Sequence, residues 1–465
     1  MSAPILWIGA PLLAGAAIFF LLNEKYSAYA GGGVAALLSL IALFIPIDTA
    51  LLLGSLSLKI SPAIEVFGRS FEFSAADGPL LAMIYGVSAL WFFGSESTGS
   101  ARRFSSLGLM IVALLTASLA VEPFLYAALL LEVAAMLIVF LLVPIYQTPG
   151  RGVVRYIVYQ TLAMPFILFS GWMLAGVEAN PGDLRTILES GIMLSMGFAF
   201  LFAVFPLYNW IPQLMEESPP FAVGFLLWAL PVFTVIFALG FLDRYTWLRN
   251  TEQISNAILF SGVLMTASGG IFGALQRHLG RIMAYAAIAE TGLFLAALGL
   301  NSSDLADIVF LALIPRGLEL SVWALALSII KRRAYPLKFS DIQGLARKYP
   351  IAAGSLILAH LSVAGFPLLA GFPARIALFQ ALSVESLGAA FWVFLGLWGL
   401  LTSAFRTLAA LVMSAEETPW EVNETWAQTL MLAVGALGLF ALGFFPQIMQ
   451  PFLASLPQLF EHLVQ

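Results

Sequence analysis

The chain has 465 residues, of which 61% are hydrophobic and only 10% are charged, and its formal net charge is −5. A soluble domain carries roughly 25% charged residues, so this composition excludes a water-soluble protein and indicates a polytopic membrane protein; the lack of a basic stripe argues against a nucleic-acid partner. No cysteine occurs, and His278, His360 and His462 are far apart, so we expect neither a protein-bound cofactor nor a metal site.

Apolar runs of helix length follow one another from the first residues of the chain. Each spanning helix needs roughly 20 apolar residues, and the period-2 alternation of a transmembrane β-strand is absent. The sequence therefore predicts an all-α fold with about 14 transmembrane helices and almost no soluble domain. The runs lie at 4–22, 29–47, 78–94, 105–121, 123–144, 153–175, 190–207, 220–242, 255–275, 282–300, 306–330, 351–381, 388–413 and 427–447.

The loops between these runs differ in lysine and arginine, which concentrate on the cytoplasmic side of membrane proteins. If the N-terminus faces outward, the outward loops hold only Lys59, Arg69, Arg185, Arg244 and Arg249. This distribution predicts that both termini face outward from an inner (plasma) membrane. The inward loops then hold Lys25, Arg102, Arg103, Arg151, Arg155, Arg277, Arg281, Lys331, Arg332, Arg333, Lys338, Arg347 and Lys348.

Two spans are interrupted by proline and glycine. We predict one broken helix near 206–212, which contains two prolines, and a second near 365–373, which contains two glycines and two prolines. Broken backbone is tolerated in a bilayer only where protein or a water-filled cavity satisfies it, and breaks in corresponding positions of two halves point to a transport site. Simple proline kinks are the alternative.

Two charged residues within the runs stand out. A charge costs roughly 2.5–3.5 kcal/mol at the centre of a spanning helix, so each one needs a partner, water or a function. Glu132 is about ten residues from either end of its run and is either a proton carrier or a carboxylate bonded to a neighbouring helix. Arg375 follows the second break, and we expect it to have a carboxylate partner or to line a wet cavity.

Four further charged or titratable residues lie within the runs. Arg316 and Glu319 are three residues apart and so on one helix face, which favours pairing with each other. Glu290 is a lone acid near the middle of its run, and a functional and a structural role are equally compatible with it. His360 could relay protons near neutral pH, or it could hydrogen-bond across helices.

Several segments together resemble the antiporter-like subunit family. That family comprises the three large membrane subunits of respiratory complex I, related subunits of membrane-bound hydrogenases, and the large subunits of Mrp-type sodium/proton antiporters. Residues 344–381, GLARKYPIAAGSLILAHLSVAGFPLLAGFPARIALFQA, resemble the family's stretch around its broken twelfth helix. Residues 197–220, 273–299 and 124–137 resemble the broken seventh helix, the Q-x-D-L-K-R segment and the fifth-helix glutamate segment, and all four occur in the family's order.

The resemblance implies two inverted five-helix repeats, each with a half-channel, and a line of protonatable residues through the middle of the membrane. Glu132 would be the fifth-helix acid, and Arg375 would take the place of the twelfth-helix lysine or glutamate. The corresponding divisions are N-terminal helices, first repeat, second repeat, and C-terminal helix with tail, at 1–121, 122–275, 276–413 and 414–465.

The chain departs from the family at its cationic positions. The seventh-helix lysine falls at about Leu201, only apolar residues and Trp228 stand near the eighth-helix lysine or histidine, and the eleventh-helix lysine position is Glu319. No lysine occurs in any predicted span, and arginine cannot release its proton near neutral pH. Either the subunit is a scaffold that has lost pumping, or it uses another set such as Glu132, Glu290, Glu319 and His360.

The leading hypothesis is a proton-translocating membrane-arm subunit of a complex I-like NADH:quinone oxidoreductase. Such a subunit would hold no redox centre of its own and would contact other membrane subunits, the lipid bilayer, and protons or sodium. The alternatives are a non-conducting scaffold subunit of such a complex, an ion or bicarbonate transporter subunit with the same fold, and a membrane enzyme acting on a lipid. The last ranks lowest, because the loops offer only the acid pairs Glu216-Glu217 and Glu416-Glu417.

Overall fold

The computed structural model of the chain is built almost entirely of α-helices. It describes residues 2–53, 56–144, 146–179, 183–300, 305–332, 336–413, 419–453, 456 and 459–460. Among the residues that entered the sequence predictions, Arg333, Glu416, Glu417 and His462 lie outside the described residues.

The α-helices of the described residues are numbered in chain order. They are α1 Ala10–Leu21, α2 Glu24–Phe44, α3 Gly78–Gly94, α4 Ala101–Ala120, α5 Ala127–Leu142, α6 Arg151–Ala179, α7 Leu184–Leu201, α8 Trp210–Glu217, α9 Pro220–Arg244, α10 Thr246–Asn250, α11 Glu252–Leu275, α12 Leu279–Leu298, α13 Leu305–Arg332, α14 Pro350–Val363, α15 Phe372–Glu385, α16 Leu387–Val412, α17 Trp426–Phe444 and α18 Gln450–Leu453.

The helices reproduce the predicted spans. Within the described residues, eleven helical segments are long and apolar enough to cross a membrane. The apolar helix Ile5–Leu21 is shorter, and two further spans are each divided into two helices, α7 with α8 and α14 with α15. These elements correspond one by one to the predicted runs, so the prediction of an all-α polytopic membrane protein is confirmed.

Both broken helices are present, and each break begins slightly earlier than predicted. The first separates α7 from α8 at 202–209, and the second separates α14 from α15 at 364–371. Pro212 and Pro373 lie in the first turns of α8 and α15, where a proline removes no intrahelical hydrogen bond. Gly365 has a φ of 77°, a conformation that glycine adopts without strain, so the second break depends on this residue.

A small β structure between α2 and α3 was not predicted. The strand β1 (Ala50–Leu53) pairs antiparallel with β2 (Leu56–Lys59), and β3 (Ala63–Val66) pairs antiparallel with β4 (Arg69–Glu72). β5 (Val121–Glu122), which follows α4, pairs with β4. Strands of two to four residues are too short to show a periodic pattern in the sequence, which explains why they were missed.

Three helices form the centre of the described structure. The spanning windows of α9, α12 and α13 are 94%, 89% and 83% buried, whereas that of α17 is 22% buried. α13 packs against α9, α12, α14 and α15. Charged residues in the middle of α12 and α13 therefore lie among protein and not lipid, and the second break adjoins them.

Candidate functional site

Four charged side chains meet in the centre of the helix bundle, and we name them the central charge cluster: Glu290, Arg316, Glu319 and Arg375. Glu290 is on α12, Arg316 and Glu319 are on α13, and Arg375 is in the first turn of α15. Each is at most 4% exposed. Because an isolated buried charge is very costly, the pairing of two acids with two arginines allows all four to lie here.

Arg375 holds the two acids of the cluster together. Its Nη2 atom lies 2.5 Å from Glu290 Oε1 and 3.5 Å from Glu319 Oε2. The same nitrogen donates a hydrogen bond of 3.2 Å to the carbonyl oxygen of Val363, the last residue of α14. The expected carboxylate partners of Arg375 are therefore present, and the arginine also binds the backbone where the second break begins.

Ser362 joins Glu319 to the second break from the other side. Its hydroxyl donates a hydrogen bond of 2.6 Å to Glu319 Oε1 and accepts one of 3.0 Å from the amide of Gly371. A Cβ atom at Gly371 would lie 2.2 Å from the Ser362 carbonyl oxygen and 2.5 Å from Glu319 Oε1. Only glycine fits between this serine and this carboxylate, so the broken backbone and the acid are in direct contact.

The expected pairing of Arg316 with Glu319 is wrong. Arg316 Nη1 lies 3.7 Å from Glu290 Oε2, and Nη2 donates hydrogen bonds to the Thr291 hydroxyl at 3.0 Å and to the Leu227 carbonyl at 2.7 Å. Glu319 faces Ser362 and Arg375 instead. The two side chains share one helix, but each has partners on other helices, and those partners decide the geometry.

The Leu227 carbonyl is available to Arg316 for a reason visible in the sequence. Pro231 lies inside α9 and lacks the amide that would otherwise bond the carbonyl four residues earlier. That carbonyl belongs to Leu227. A backbone acceptor left free in the middle of the most buried helix is thus satisfied by a guanidinium from α13.

Several atoms of the cluster keep hydrogen-bonding capacity. Within the part of the chain that the structure describes, Arg316 Nε and Nη1, Arg375 Nε and Glu290 Oε2 have no hydrogen-bond partner. Buried polar atoms are usually bonded to protein or to ordered water. The cluster therefore keeps free donors and an acceptor for further polar ligands such as water molecules.

Glu132 lies in a separate and much less polar place. It is 6% exposed on α5, and its Oε1 accepts a hydrogen bond of 2.7 Å from the Thr161 hydroxyl on α6. Among the described residues no lysine, arginine or histidine lies within 4.0 Å of its carboxylate. Gln160 and Leu201 line the same cavity, which has a volume of about 10 Å³, about the minimum for one water molecule.

Leu201 is an apolar neighbour of Glu132. The resemblance places the family's seventh-helix lysine at about this position, and Leu201 indeed borders the Glu132 cavity. An apolar side chain therefore stands where a cation would face the acid. The first break itself adjoins a larger cavity of about 600 Å³, lined in part by Tyr208, Asn209 and the ion pair of Arg281 with Glu216.

His360 is fully buried on α14, two residues before Ser362, which contacts the cluster. Its Nε2 atom lies 2.8 Å from the Ser403 hydroxyl on α16, and its ring stacks on Trp323 at 4.3 Å between centroids. Nδ1 has no hydrogen-bond partner among the described residues. These contacts match the predicted bond across helices, and a relay role for His360 stays a prediction.

The structure thus brings together Glu290, Glu319 and Arg375, and it keeps Glu132 apart from them. Sequence reasoning missed the hydroxyl partners, which are Ser362 and Thr291 in the central charge cluster and Thr161 beside Glu132. Hydroxyl residues within apolar runs are a weak signal, because most of them bond their own helix. The stronger missed signal was Pro231, which marks the free acceptor at Leu227.

Comparison with known proteins agrees with this architecture. Residues 154–405 match the family model described as NADH:quinone oxidoreductase/Mrp antiporter, transmembrane. This match covers more than half of the chain and includes Glu290, Arg316, Glu319 and Arg375. The chain therefore belongs to the NADH:quinone oxidoreductase/Mrp antiporter transmembrane family.

One relative and two solved structures illustrate the likeness. NADH-quinone oxidoreductase subunit 14 of Thermus thermophilus is 27% identical over 437 residues, covering 88% of this chain and 94% of the relative. A chain of Thermus thermophilus respiratory complex I superposes with a TM-score of 0.81 at 17% identity, covering 99% of this chain and 100% of that one. A chain of the archaeal membrane-bound sulfane sulfur reductase gives 0.83 at 16% identity, covering 99% and 98%. At these identities the structures establish the fold.

Proposed function

We propose that the chain is a membrane-arm subunit of a complex I-like NADH:quinone oxidoreductase and that it takes part in proton translocation. Family membership supports the first part, together with a relative named as a quinone oxidoreductase subunit that aligns over nearly its whole length. Other membrane subunits of the same complex would be its partners, and electrons would travel in partner subunits that hold the redox centres.

The central charge cluster is the observation that carries the proposal. Two carboxyl groups share one arginine nitrogen at 2.5 and 3.5 Å, so protonation of either one changes the electrostatic energy of the other. Arginine keeps its proton, so Arg375 and Arg316 hold the charges in place while Glu290 and Glu319 carry protons. The contact of Glu319 with the second break would couple this transfer to movement of the interrupted helix.

The remaining assignments extend the proposal to the whole chain. The four divisions at 1–121, 122–275, 276–413 and 414–465 place Glu132 in the first repeat and the central charge cluster in the second. The excess of lysine and arginine in the inward loops supports outward-facing termini in an inner (plasma) membrane. His360 would extend the line of polar groups beyond Glu319, and the ion moved would be a proton or sodium.

A non-conducting scaffold is the second candidate, and the surroundings of Glu132 favour it. Its carboxylate has one hydroxyl partner, an apolar residue where the family has lysine, and a cavity of about 10 Å³. If proton flow requires a complete relay in both repeats, this first repeat would block it.

The two candidates are separated by Glu319→Gln in the assembled oxidoreductase reconstituted into vesicles. Proton uptake per electron pair and electron transfer are measured on the same vesicles. The translocation proposal expects a lower proton-to-electron ratio with retained assembly. Glu189→Gln is the matched control, because Glu189 lies on α7 in an exposed pair with Arg185. An unchanged ratio for Glu319→Gln, in a correctly assembled complex, would support the scaffold.

A further inference from the structure

A basic cavity of about 830 Å³ lies away from the central charge cluster, at the ends of several spanning helices. Its cationic wall consists of Arg102 and Arg103 at the start of α4 and Lys331 and Arg332 at the end of α13. All four lie at helix ends that the charge distribution predicts to face inward. The cavity therefore lies at the boundary between membrane and water on the face where anionic lipids attract basic groups.

The four cations lack acidic partners. No carboxylate of the described residues lies within 4.0 Å of any of their charged nitrogens. Three of them donate to backbone carbonyls: Arg103 to Val143 at 2.8 Å, Lys331 to Ser218 at 3.0 Å, and Arg332 to Ser97 at 3.0 Å. These bonds fix the side chains against the wall of the cavity without neutralising their charge.

The two acids that also line the cavity accept hydrogen bonds from backbone amides and from an uncharged side chain. Glu24 accepts a hydrogen bond of 3.2 Å from the backbone amide of Arg102. Glu217 accepts one of 2.8 Å from the amide of Gly152 and one of 2.9 Å from the side chain of Gln213. The wall therefore carries an excess of positive charge, and its acids are already satisfied by other donors.

The rest of the lining is apolar. Phe19, Phe104, Leu141 and Phe221 border the same cavity, and Phe19 is 44% exposed on the outer surface of α1. A ligand that fills this space must combine a negative head with a hydrocarbon body. A free phosphate ion would match the cations but would leave the apolar part of the wall unused.

We propose that this cavity binds the phosphate headgroup of an anionic phospholipid, with its acyl chains lying against Phe19 and Leu141. Arg102 and Arg332 are the exposed cations and would contact the phosphate from opposite sides. Arginine suits this role because its planar group presents several donors to phosphate oxygens. Binding would tie α4 to α9 and α13, and so tie the N-terminal helices to the core. The site does not depend on proton translocation.

The test is lipid binding by the purified full chain, followed by native mass spectrometry in detergent. Phosphatidylglycerol and phosphatidylcholine with the same acyl chains are compared, in the presence and absence of inorganic phosphate. We expect phosphatidylglycerol to be retained, and its dissociation constant to rise about tenfold or more in R102Q/R332Q, because each arginine near the surface contributes appreciably to anionic lipid binding.

R277Q/K338Q is the matched control, since it removes two exposed inward-loop cations outside the cavity and should leave binding unchanged. Thermal unfolding of each variant verifies that it is folded. Equal retention of the two lipids, or equal loss in both double variants, would overturn the proposal. Displacement of phosphatidylglycerol by millimolar inorganic phosphate alone would show a soluble-anion site in place of a lipid site.

Discussion

The two broken helices of this protein have very different surroundings. At the second break, four buried charges, a serine hydroxyl and the broken backbone are joined by direct contacts. Glu132, which shares a cavity with Leu201 at the end of α7, has a single hydroxyl partner and an apolar neighbour. One fold thus surrounds the second break with a buried charged network, whereas the first break lies between an isolated buried acid and the half-exposed ion pair of Arg281 with Glu216.

The comparison predicts that replacing Arg375, the arginine beside the second break, has the largest effect. Arg375→Gln leaves Glu290 and Glu319 buried without their shared cation, and losing one member of a buried pair costs about 3–5 kcal/mol. Thermal unfolding in detergent measures the loss. Arg185→Gln, which removes an exposed arginine from α7, should leave the unfolding temperature unchanged. If both variants unfold at the wild-type temperature, the cluster does not stabilise the fold.

The next largest effect is expected at the second break itself. Gly371→Ala would place a methyl group against Ser362 and Glu319, and such overpacking typically costs about 1–3 kcal/mol. Gly354→Ala on the neighbouring α14 is the control, because a Cβ there meets no atom within 4 Å and alanine favours a helix. The unfolding temperature should fall for the first variant and hold or rise for the second. A fall in both would place the cause outside the Glu319 contact.

A cation can also be added beside Glu132. Leu201→Lys should be tolerated better when Glu132 is present than when it is replaced by glutamine. We expect a coupling free energy of about 1–2 kcal/mol from a double-mutant cycle of L201K, E132Q and the combined variant. The unfolding free energies of the four proteins give this value directly. A coupling of zero would mean that position 201 does not face the acid.

The smallest effect is expected for the hydroxyl that bonds Glu132. Thr161→Val keeps the shape of the side chain and removes the donor, which should destabilise the protein by about 1 kcal/mol. The same change at Thr402, whose hydroxyl bonds only its own helix at the Trp398 carbonyl on the exposed face of α16, is the control. Chemical unfolding in detergent measures the loss of unfolding free energy in each of the two variants. Equal effects would indicate that the Thr161 bond contributes nothing specific.

The parts of this structure that the sequence predicts are those that depend on local physics. The order and number of spans follow from hydropathy, and the breaks at 202–209 and 364–371 follow from proline and glycine. Long apolar runs and helix-breaking residues leave few alternatives in a bilayer. Burial of Glu290, Glu319 and Arg375 follows from the same argument, since each lies within an apolar run.

The parts that the sequence does not predict depend on which helices are neighbours. Spacing favoured a bond between Arg316 and Glu319, yet helix packing brings Glu290 of α12 to Arg316 and Arg375 of α15 to Glu319. Among the short strands of the described residues, β5 pairs with the distant β4 and depends on packing in the same way, whereas the pairs β1–β2 and β3–β4 are local and too short to show a pattern. A single sequence does not specify such contacts until the packing is known.

The free carbonyl at Leu227 has a consequence for how the protein can vary. Pro231 creates an acceptor that Arg316 occupies at 2.7 Å, so each residue supplies what the other lacks. Replacing the proline would let α9 close its own backbone bond and leave the guanidinium short of an acceptor. Replacing the arginine would leave the oxygen without a donor in the protein interior. Substitutions at positions 231 and 316 should therefore be found together or not at all among proteins that share this core.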